Sequence, residues 1–562
     1  MDISRKDVFS EIIRMGSSYI TQLQEMEKNA VQINKSLLMD ILGKNAQTEF
    51  GIANGFKDIR TPEQFRERLR VRTYADYKPY IIRMMENGEK NLLTACEPEY
   101  YLVTSGTTGT SKYLPCTKEN NDLIVSYAEF YRFALIAQKL GDIWSDGGSP
   151  FRVTVVVSEK DAHNNYICSI TCIGACEKVE ISPDIRDMLN LSPDEALYSG
   201  NVDSWYINAR DMLTCPDISD IITPYVSIQL EFMRYIEENW ELLVRDIEHG
   251  TVDTSINLPE DVRLRLSNKY QPDSKRAAFL RREFHKGFSE PIMPRIWPKF
   301  SCVSAAYGGV FARYLDQYRR YMGNNADIFC YGYTASEGIF SVPFEMNSTE
   351  SVLLPQSAFY EFVPEDQEDL ERTLSMEDLK VGERYRIIVT TRSGMYRYDM
   401  GDIIEVKGFI GSCPRIEFLY KAGMVLSILS EHVSGGEVED IMTDTFRDYG
   451  VELVDYSAFT EIPESGKGRY VFMAELKDDL LPSDDVVAEK IWQTLKQKNS
   501  MIKLRAERGY FAPPVFHRLR HGAYAAYREM IHRTQKNSNQ MKPPHILKDK
   551  ERIAFFKDWI EK

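Results

Sequence analysis

The run Thr104-Ser105-Gly106-Thr107-Thr108-Gly109-Thr110-Ser111-Lys112 constrains this chain more than any other stretch. It sets four threonines, two serines and two glycines ahead of one lysine, directly after the apolar-aromatic segment Tyr100-Tyr101-Leu102-Val103. Glycines let backbone amides converge on an anion, hydroxyls add donors, and the lysine supplies positive charge. A strand running into such a loop is the layout of a phosphate cradle. The same residue types also suit a plain polar surface turn. The loop is not a Walker A sequence: counting from Gly106, Ser111 takes the place of the second glycine, and Tyr113 follows Lys112 where Ser or Thr belongs. A nucleotide here would be held differently from the way a P-loop ATPase holds it.

A chain of 562 residues is long enough for more than one domain. With 43% hydrophobic and 27% charged residues, its composition is that of an ordinary globular protein. A formal charge of −15 argues against broad electrostatic binding to nucleic acid or to an anionic membrane. The first residues, MDISRKDVFSEIIRM, mix charges and lack the apolar core of a secretory signal, and no apolar run nears the length of a membrane span. A cytoplasmic protein is expected. The nine cysteines fit reduced thiols better than a disulfide scaffold. Cys168, Cys172 and Cys176 recur every four residues, but no fourth Cys or His sits at a ligand spacing. Small buried hydrophobes on one face explain them more simply. Neither HExxH nor GxSxG is present, which disfavours zinc and serine hydrolases.

Apolar residues at helical spacing predict helix over 5–45 and again over 224–249, where Ile228, Phe232, Ile236, Trp240, Leu243 and Ile247 form one stripe. Thr61-Pro62-Glu63-Gln64 is a helix start with a capping Thr, Pro in the first turn and Gln three residues after the cap. The β-branched run FRVTVVVS at 151–158 predicts one buried strand. From 299 to 333 the pattern alternates strand, helix, strand. Residues 358–421 are strand-rich with short connections, which favours antiparallel pairing. After residue 421 a second unit begins, with strands near 456–462 and 469–475 and a helix near 484–498.

Three further segments carry chemistry. In Tyr333-Thr334-Ala335-Ser336-Glu337-Gly338 a hydroxyl beside a carboxylate can hold a phosphate oxygen and a divalent cation. A helix N-terminus would use the same residues. Tyr396-Arg397-Tyr398-Asp399-Met400-Gly401-Asp402 joins two strand-like runs, and a carboxylate at such a turn can accept both hydrogens of a ribose diol. A Gly-Asp turn needs no ligand to explain it. Lys542, in Asn539-Gln540-Met541-Lys542-Pro543-Pro544, reads on its own as a solvated loop lysine.

The order of these pieces is more specific than any one of them. Phosphate loop, the pair Gly308-Gly309, Tyr-x-Ala-Ser-Glu, Tyr-x-x-Gly-Asp and a late lysine resemble the layout of the acyl-adenylate-forming superfamily. More closely, the chain resembles the Gretchen Hagen acyl acid–amido synthetases, a family first known from auxin-responsive plant genes. The resemblance also takes in TEFGIANGFKDIRTPEQF at 48–65, TYADYKPYI at 73–81, RYIEENWELLVRDIEHG at 234–250, IWPKFSCVSAAYGG at 296–309, MYRYDMGDIIEVKGF at 395–409 and SNQMKPP at 538–544.

That resemblance implies an α/β fold. A large N-terminal adenylation domain, residues 1–421, would have parallel sheets and an antiparallel barrel-like portion. A small mobile α+β domain, 422–562, would carry the late lysine and rotate about a hinge near Tyr420-Lys421. It implies ATP and Mg²⁺, a small-molecule carboxylic acid and an amino acid, with no nucleic acid or membrane partner and no indication of oligomeric state. Ser105, Gly106, Thr107, Thr108 and Lys112 would hold the β- and γ-phosphates. Gly308, Gly309 and Tyr333 would lie against adenine, Ser336 at the α-phosphate, Glu337 on Mg²⁺ and Asp402 at the ribose, with Tyr398 a further nucleotide-binding residue. Lys542 would stabilise charge developing at the α-phosphate. The chain departs from the family pattern at Asp399 and Lys421, where basic residues and an arginine are usual, and at Glu431-His432, where Glu-Lys is common. The implied reaction is adenylation of the acid and acyl transfer to an amine. Alternatives are transfer to the thiol of coenzyme A or a carrier protein, and a nucleotide-binding regulator without catalysis.

Overall fold

The computed structural model describes residues 5–104, 112–153, 158–161, 163, 165–170, 204–308, 311–367, 369–422, 425–428, 433–463, 467–477, 481–507, 509–534 and 545–561. These fall into two compact units. The larger runs to Phe418 without Gly401–Ile403, and those three residues join Leu419 onwards in the smaller.

In the larger unit the N-terminal helical region resolves into helices Arg5–Met26 and Ala30–Lys44, separated by the single turn Glu27–Asn29. Thr61 caps the helix Pro62–Arg68: its hydroxyl accepts the Gln64 N–H at 3.3 Å, while the Gln64 side chain accepts the Arg60 N–H at 2.7 Å. The helix Val226–His249 buries Phe232, Ile236, Leu243 and Ile247 on the face that the spacing marks out, with Trp240 half-buried and stacked on Phe284.

Two sheets accompany these helices. In the first, β1 (Pro98–Thr104) lies between β2 (Lys112–Thr117), antiparallel to it, and β5 (Tyr166–Cys168), parallel to it, with β4 (Ser158–Lys160) beyond β5. The second is a parallel sheet of β3 (Ser149–Arg152), β6 (Ile218–Tyr225), β7 (Cys302–Ala306) and β8 (Asp327–Phe329). The single strand expected over 151–158 is therefore corrected. Its start lies in β3 and Ser158 opens β4 in the other sheet, with 154–157 outside the described residues. A continuous β-branched run carries no signal for where one strand ends and the next begins.

β9 (Thr334–Ala335) and β10 (Gly338–Ile339) form a small hairpin. A six-stranded sheet follows in the order β11 (Ser341–Pro343), β12 (Ser351–Leu353), β16 (Cys413–Lys421), β15 (Tyr398–Ile410), β14 (Arg384–Thr391), β13 (Ala358–Pro364). β11 with β12, β12 with β16, and β13 with β14 pair antiparallel. The two strands expected on either side of a Gly-Asp turn are one strand of 13 residues. Gly401, at φ 71°, takes a left-handed step inside it, so the strand bends there without ending.

The smaller unit opens with the short pair β17 (Val425–Leu426) and β18 (Val433–Ser434). Its sheet orders β19 (Leu453–Glu461), β20 (Arg469–Leu476) and β21 (Val515–Leu519), antiparallel then parallel. Helices Gly435–Tyr449 and Asp484–Lys498 bury Ile441, Met442, Ile491 and Leu495 in its core. This is an α+β unit. Among the described residues, no helix is long and apolar enough to cross a membrane.

Of the evenly spaced cysteines, Cys168 is buried in β5, and Cys172 and Cys176 lie outside the described residues. Cys116 in β2 is buried as well, and burial pushes its thiol up to about 12. Because the thiolate is the reactive form, alkylation at pH 7.5 should modify exposed Cys96 more than about 100-fold faster than Cys116. Peptide mass mapping checks this; comparable rates would contradict a closed core around β2.

Candidate active site

The backbone enters and leaves the segment 105–111 at one closed position, where Thr104 of β1 pairs with Lys112 of β2. Ser105, Gly106, Thr107 and Thr108 themselves lie outside the described residues. The Lys112 ammonium sits 5.6 Å from the centre of the Tyr74 ring, within cation–π range. The Tyr74 hydroxyl accepts the Tyr113 N–H at 2.9 Å and donates to the Tyr113 carbonyl at 3.2 Å. One tyrosine thus shelters the lysine and pins the strand behind it. Sequence reasoning assigned Tyr74 no role, because the contact joins residues 39 positions apart.

Tyr333, Ser336 and Glu337 are brought together by the β9–β10 hairpin. Ser336 and Glu337 form its turn, both half-buried, so the helix N-terminus that their types also allow does not form. The Phe340 and Ser341 N–H groups donate to the Tyr333 carbonyl at 2.9 and 3.2 Å, and the Tyr333 N–H donates to the Ser341 hydroxyl at 2.8 Å. Gly332 has φ 70°, and a Cβ there would stand 2.6 Å from the Ser341 carbonyl oxygen, so only glycine allows this close approach. The Tyr333 ring stacks on Phe418 at 5.5 Å and is tilted against Phe340 at 5.3 Å. Buried Asn120 donates to the Glu337 carbonyl at 3.4 Å, a link between the helix after β2 and the hairpin.

The hairpin's donor set fits a nucleotide phosphate with its cation. The Thr334 hydroxyl is buried with no hydrogen-bond partner in the protein, the Ser336 hydroxyl lies in the turn, and Glu337 adds one carboxylate. Among the described residues, no group of three or more His, Cys, Asp or Glu could hold a metal ion. One carboxylate beside hydroxyls suits Mg²⁺ that arrives with a nucleotide and keeps most of its ligands from phosphate and water. Arg132 is fully buried, but Asp220 answers its charge and Ser304 accepts from it at 3.2 Å, making it a structural pair.

Asp402 is buried, and its Oδ1 pairs with Lys421 Nζ at 2.5 Å. Asp399 is bound by Arg386 through two bonds of 2.8 and 2.5 Å, which commits it to the sheet. Tyr398 is buried edge-on to Tyr77, with ring centres 6.0 Å apart. Gly308 follows β7, and a Cβ there would lie 3.1 Å from the Thr349 methyl. Gly309, Glu431, His432 and Lys542 lie outside the described residues.

Residues 19–326 match the model of the GH3 family N-terminal domain, 351–421 that of the central domain and 436–551 that of the C-terminal domain. The chain belongs to the GH3 family. It is 27% identical over 469 residues to the probable indole-3-acetic acid-amido synthetase GH3.1 of Arabidopsis thaliana, covering 81% of this chain and 78% of that one. To the probable indole-3-acetic acid-amido synthetase GH3.11 of Oryza sativa subsp. japonica it is 24% identical, covering 95% and 94%. The solved structure of GH3.15 acyl acid amido synthetase has the same fold, with a TM-score of 0.82 over 96% of both chains at 22% identity. The GH3 fold thus accounts for the parallel sheet, the six-stranded sheet and the α+β unit described above.

Proposed function

We propose that this GH3-family chain is an ATP-dependent ligase that adenylates an organic carboxylic acid and passes the acyl group to an amine, with an amino acid as the acceptor. The observation that carries the reading is the match of all three family domains, in order, over most of the chain. The proposed division is an adenylation domain up to residue 421 and a C-terminal domain from 422.

A carboxylate is a poor acyl donor because its leaving group would be oxide. In the first step a carboxylate oxygen bonds to the α-phosphorus of ATP, the bond to the bridging oxygen breaks, and pyrophosphate leaves. In the second the amine attacks the acyl carbon, AMP leaves, and the amine loses a proton. Two anions must meet in the first step, so the site has to supply positive charge and oriented donors. In this reading Ser105, Gly106, Thr107, Thr108 and Lys112 bind the outer phosphates, and Ser336 contacts the α-phosphate. Asp402 faces the ribose, Gly309 and Tyr333 the adenine, and Tyr398 is a further nucleotide-binding residue. Lys542 meets the charge that develops on the α-phosphate. Glu337 would hold Mg²⁺, which when bound would supply positive charge against the phosphates.

The test is a pyrophosphate-release screen that crosses aromatic and aliphatic acids with amino acids and coenzyme A, with products read by mass spectrometry. The names of the curated relatives make indole-3-acetic acid the first acid to include. Amide formation that depends on both acid and amino acid is the expected result. Thioester formation with coenzyme A and no amide would move the second step to a thiol acceptor. A screen with no pyrophosphate release would overturn the ligase reading. Lys112→Ala is expected to raise the KM for ATP about tenfold or more, since it removes a charge-assisted phosphate contact; an unchanged KM would place Lys112 outside the phosphate site.

A further inference from the structure

The helix Tyr74–Asn87 opens with two tyrosines, Tyr74 and Tyr77, at a spacing that sets both on one face. Each uses its hydroxyl on both backbone groups of a single distant residue. Tyr74 accepts from the Tyr113 N–H at 2.9 Å and donates to the Tyr113 carbonyl at 3.2 Å. Tyr77 accepts from the Tyr396 N–H at 3.0 Å and donates to the Tyr396 carbonyl. Tyr113 directly follows Lys112 in β2, and Tyr396 stands just ahead of Tyr398, which opens β15. One helix thus joins the strand that carries the lysine to the strand that carries Tyr398.

The β15 side of this link does not depend on Tyr74. Just ahead of the helix, the Arg72 N–H donates to the Arg397 carbonyl at 2.9 Å, and the Asp399 N–H donates to the Arg72 carbonyl at 2.8 Å. The Asp76 carboxylate accepts the Thr73 N–H at 2.9 Å and closes the first turn, and Tyr77 is fully buried. Tyr74 is half-buried and acts on β2. The centre of its ring lies 5.6 Å from the Lys112 ammonium. A lysine ends a long flexible stem, and confining it costs side-chain entropy. A ring face attracts an ammonium without cancelling its charge, so this contact orients the lysine without consuming the charge that a phosphate needs.

We propose that Tyr74 is a positioning residue for Lys112: its ring holds the ammonium and its hydroxyl fixes the backbone of the next residue, so that the lysine meets a nucleotide phosphate with little freedom left to lose. This rests on the reading above, in which Lys112 binds the outer phosphates. Ordering completed before the nucleotide arrives strengthens binding, so removing the ring weakens affinity for ATP only while Lys112 is present.

A double-mutant cycle on the full chain tests it, with wild type, Tyr74→Leu, Lys112→Ala and the double variant. The readout is the Kd for α,β-methylene-ATP with Mg²⁺, measured by calorimetry; the bridging carbon blocks release of pyrophosphate. Tyr74→Leu is expected to weaken binding about 5- to 10-fold. Tyr74→Phe, which keeps the ring and loses both hydroxyl bonds, should weaken it about 2- to 3-fold. In the Lys112→Ala background Tyr74→Leu should cost less than about 1.5-fold, because the ammonium it orients is gone. Unchanged affinity in Tyr74→Leu, a Tyr74→Phe variant as weak as Tyr74→Leu, or losses that multiply would overturn the proposal. If Tyr74→Leu does not fold, Tyr74→Phe goes through the same cycle, and its loss should vanish when Lys112 is replaced. A wild type that does not bind the analogue overturns the nucleotide site and this inference with it. A wild type that binds it but forms no adenylate with any acid overturns the ligase reading alone, whereas an active wild type with multiplying losses overturns this inference alone.

Discussion

Glu337→Gln is expected to lower the rate of acyl-adenylate formation by about 100- to 1,000-fold. The substitution keeps the shape of the side chain and a carbonyl oxygen but removes the charge. Glu337 lies in the turn of a hairpin whose backbone is held by bonds at Tyr333 and Ser341. In the proposed reading Glu337 would hold the cation together with nucleotide oxygens and water. Loss of the charge should show as a weaker dependence on Mg²⁺, with rates partly recovered at high Mg²⁺. Single-turnover rates over a Mg²⁺ titration check this. An unchanged rate at low Mg²⁺ would remove Glu337 from the metal site.

Arg397→Ala is expected to destabilise the larger unit by about 3–5 kcal/mol. Arg397 is fully buried with a backbone φ of 47°. Its guanidinium donates to Glu361 at 3.2 Å, to Glu371 at 2.9 Å, to the Arg66 carbonyl at 3.1 Å and to the Leu69 carbonyl. Glu361 is itself 1% exposed. Arg66 and Thr373 also bind its Oε1, at 3.2 and 2.6 Å. Truncation would leave the other Glu361 oxygen and two backbone carbonyls without their donor in a region closed to water, which is where the cost arises. Arg397→Lys should recover only part of the loss, because an ammonium cannot span the same fork of acceptors. Urea denaturation followed by tryptophan fluorescence measures both variants. A change below about 1 kcal/mol would mean that water or a rearranged side chain replaces the guanidinium.

Local chemistry was legible in the sequence wherever one short segment decides the outcome. Thr61 caps its helix as its neighbours predict, and the stripe on Val226–His249 faces the core. Gly401 was misread because glycine followed by aspartate has the composition of a turn, whereas its left-handed backbone is spent inside a strand. Segments with phosphate-site chemistry could be named one at a time, but the contacts that organise them could not. Lys421 reaches Asp402 across 19 positions, and Tyr74 reaches Tyr113 across 39. Periodicity carries information over a few turns of chain, and such pairings come only from tertiary packing.

Activation of a carboxylate through the α-phosphorus is followed most directly by an oxygen label. Acid carrying ¹⁸O in both carboxylate positions is incubated with ATP, Mg²⁺ and the acceptor amino acid, and the nucleotide and phosphate products are analysed by mass spectrometry. Adenylation predicts one ¹⁸O in AMP and none in pyrophosphate, because the oxygen that attacks the α-phosphorus leaves with AMP. Label in inorganic phosphate together with ADP would place the attack on the γ-phosphorus and contradict the account.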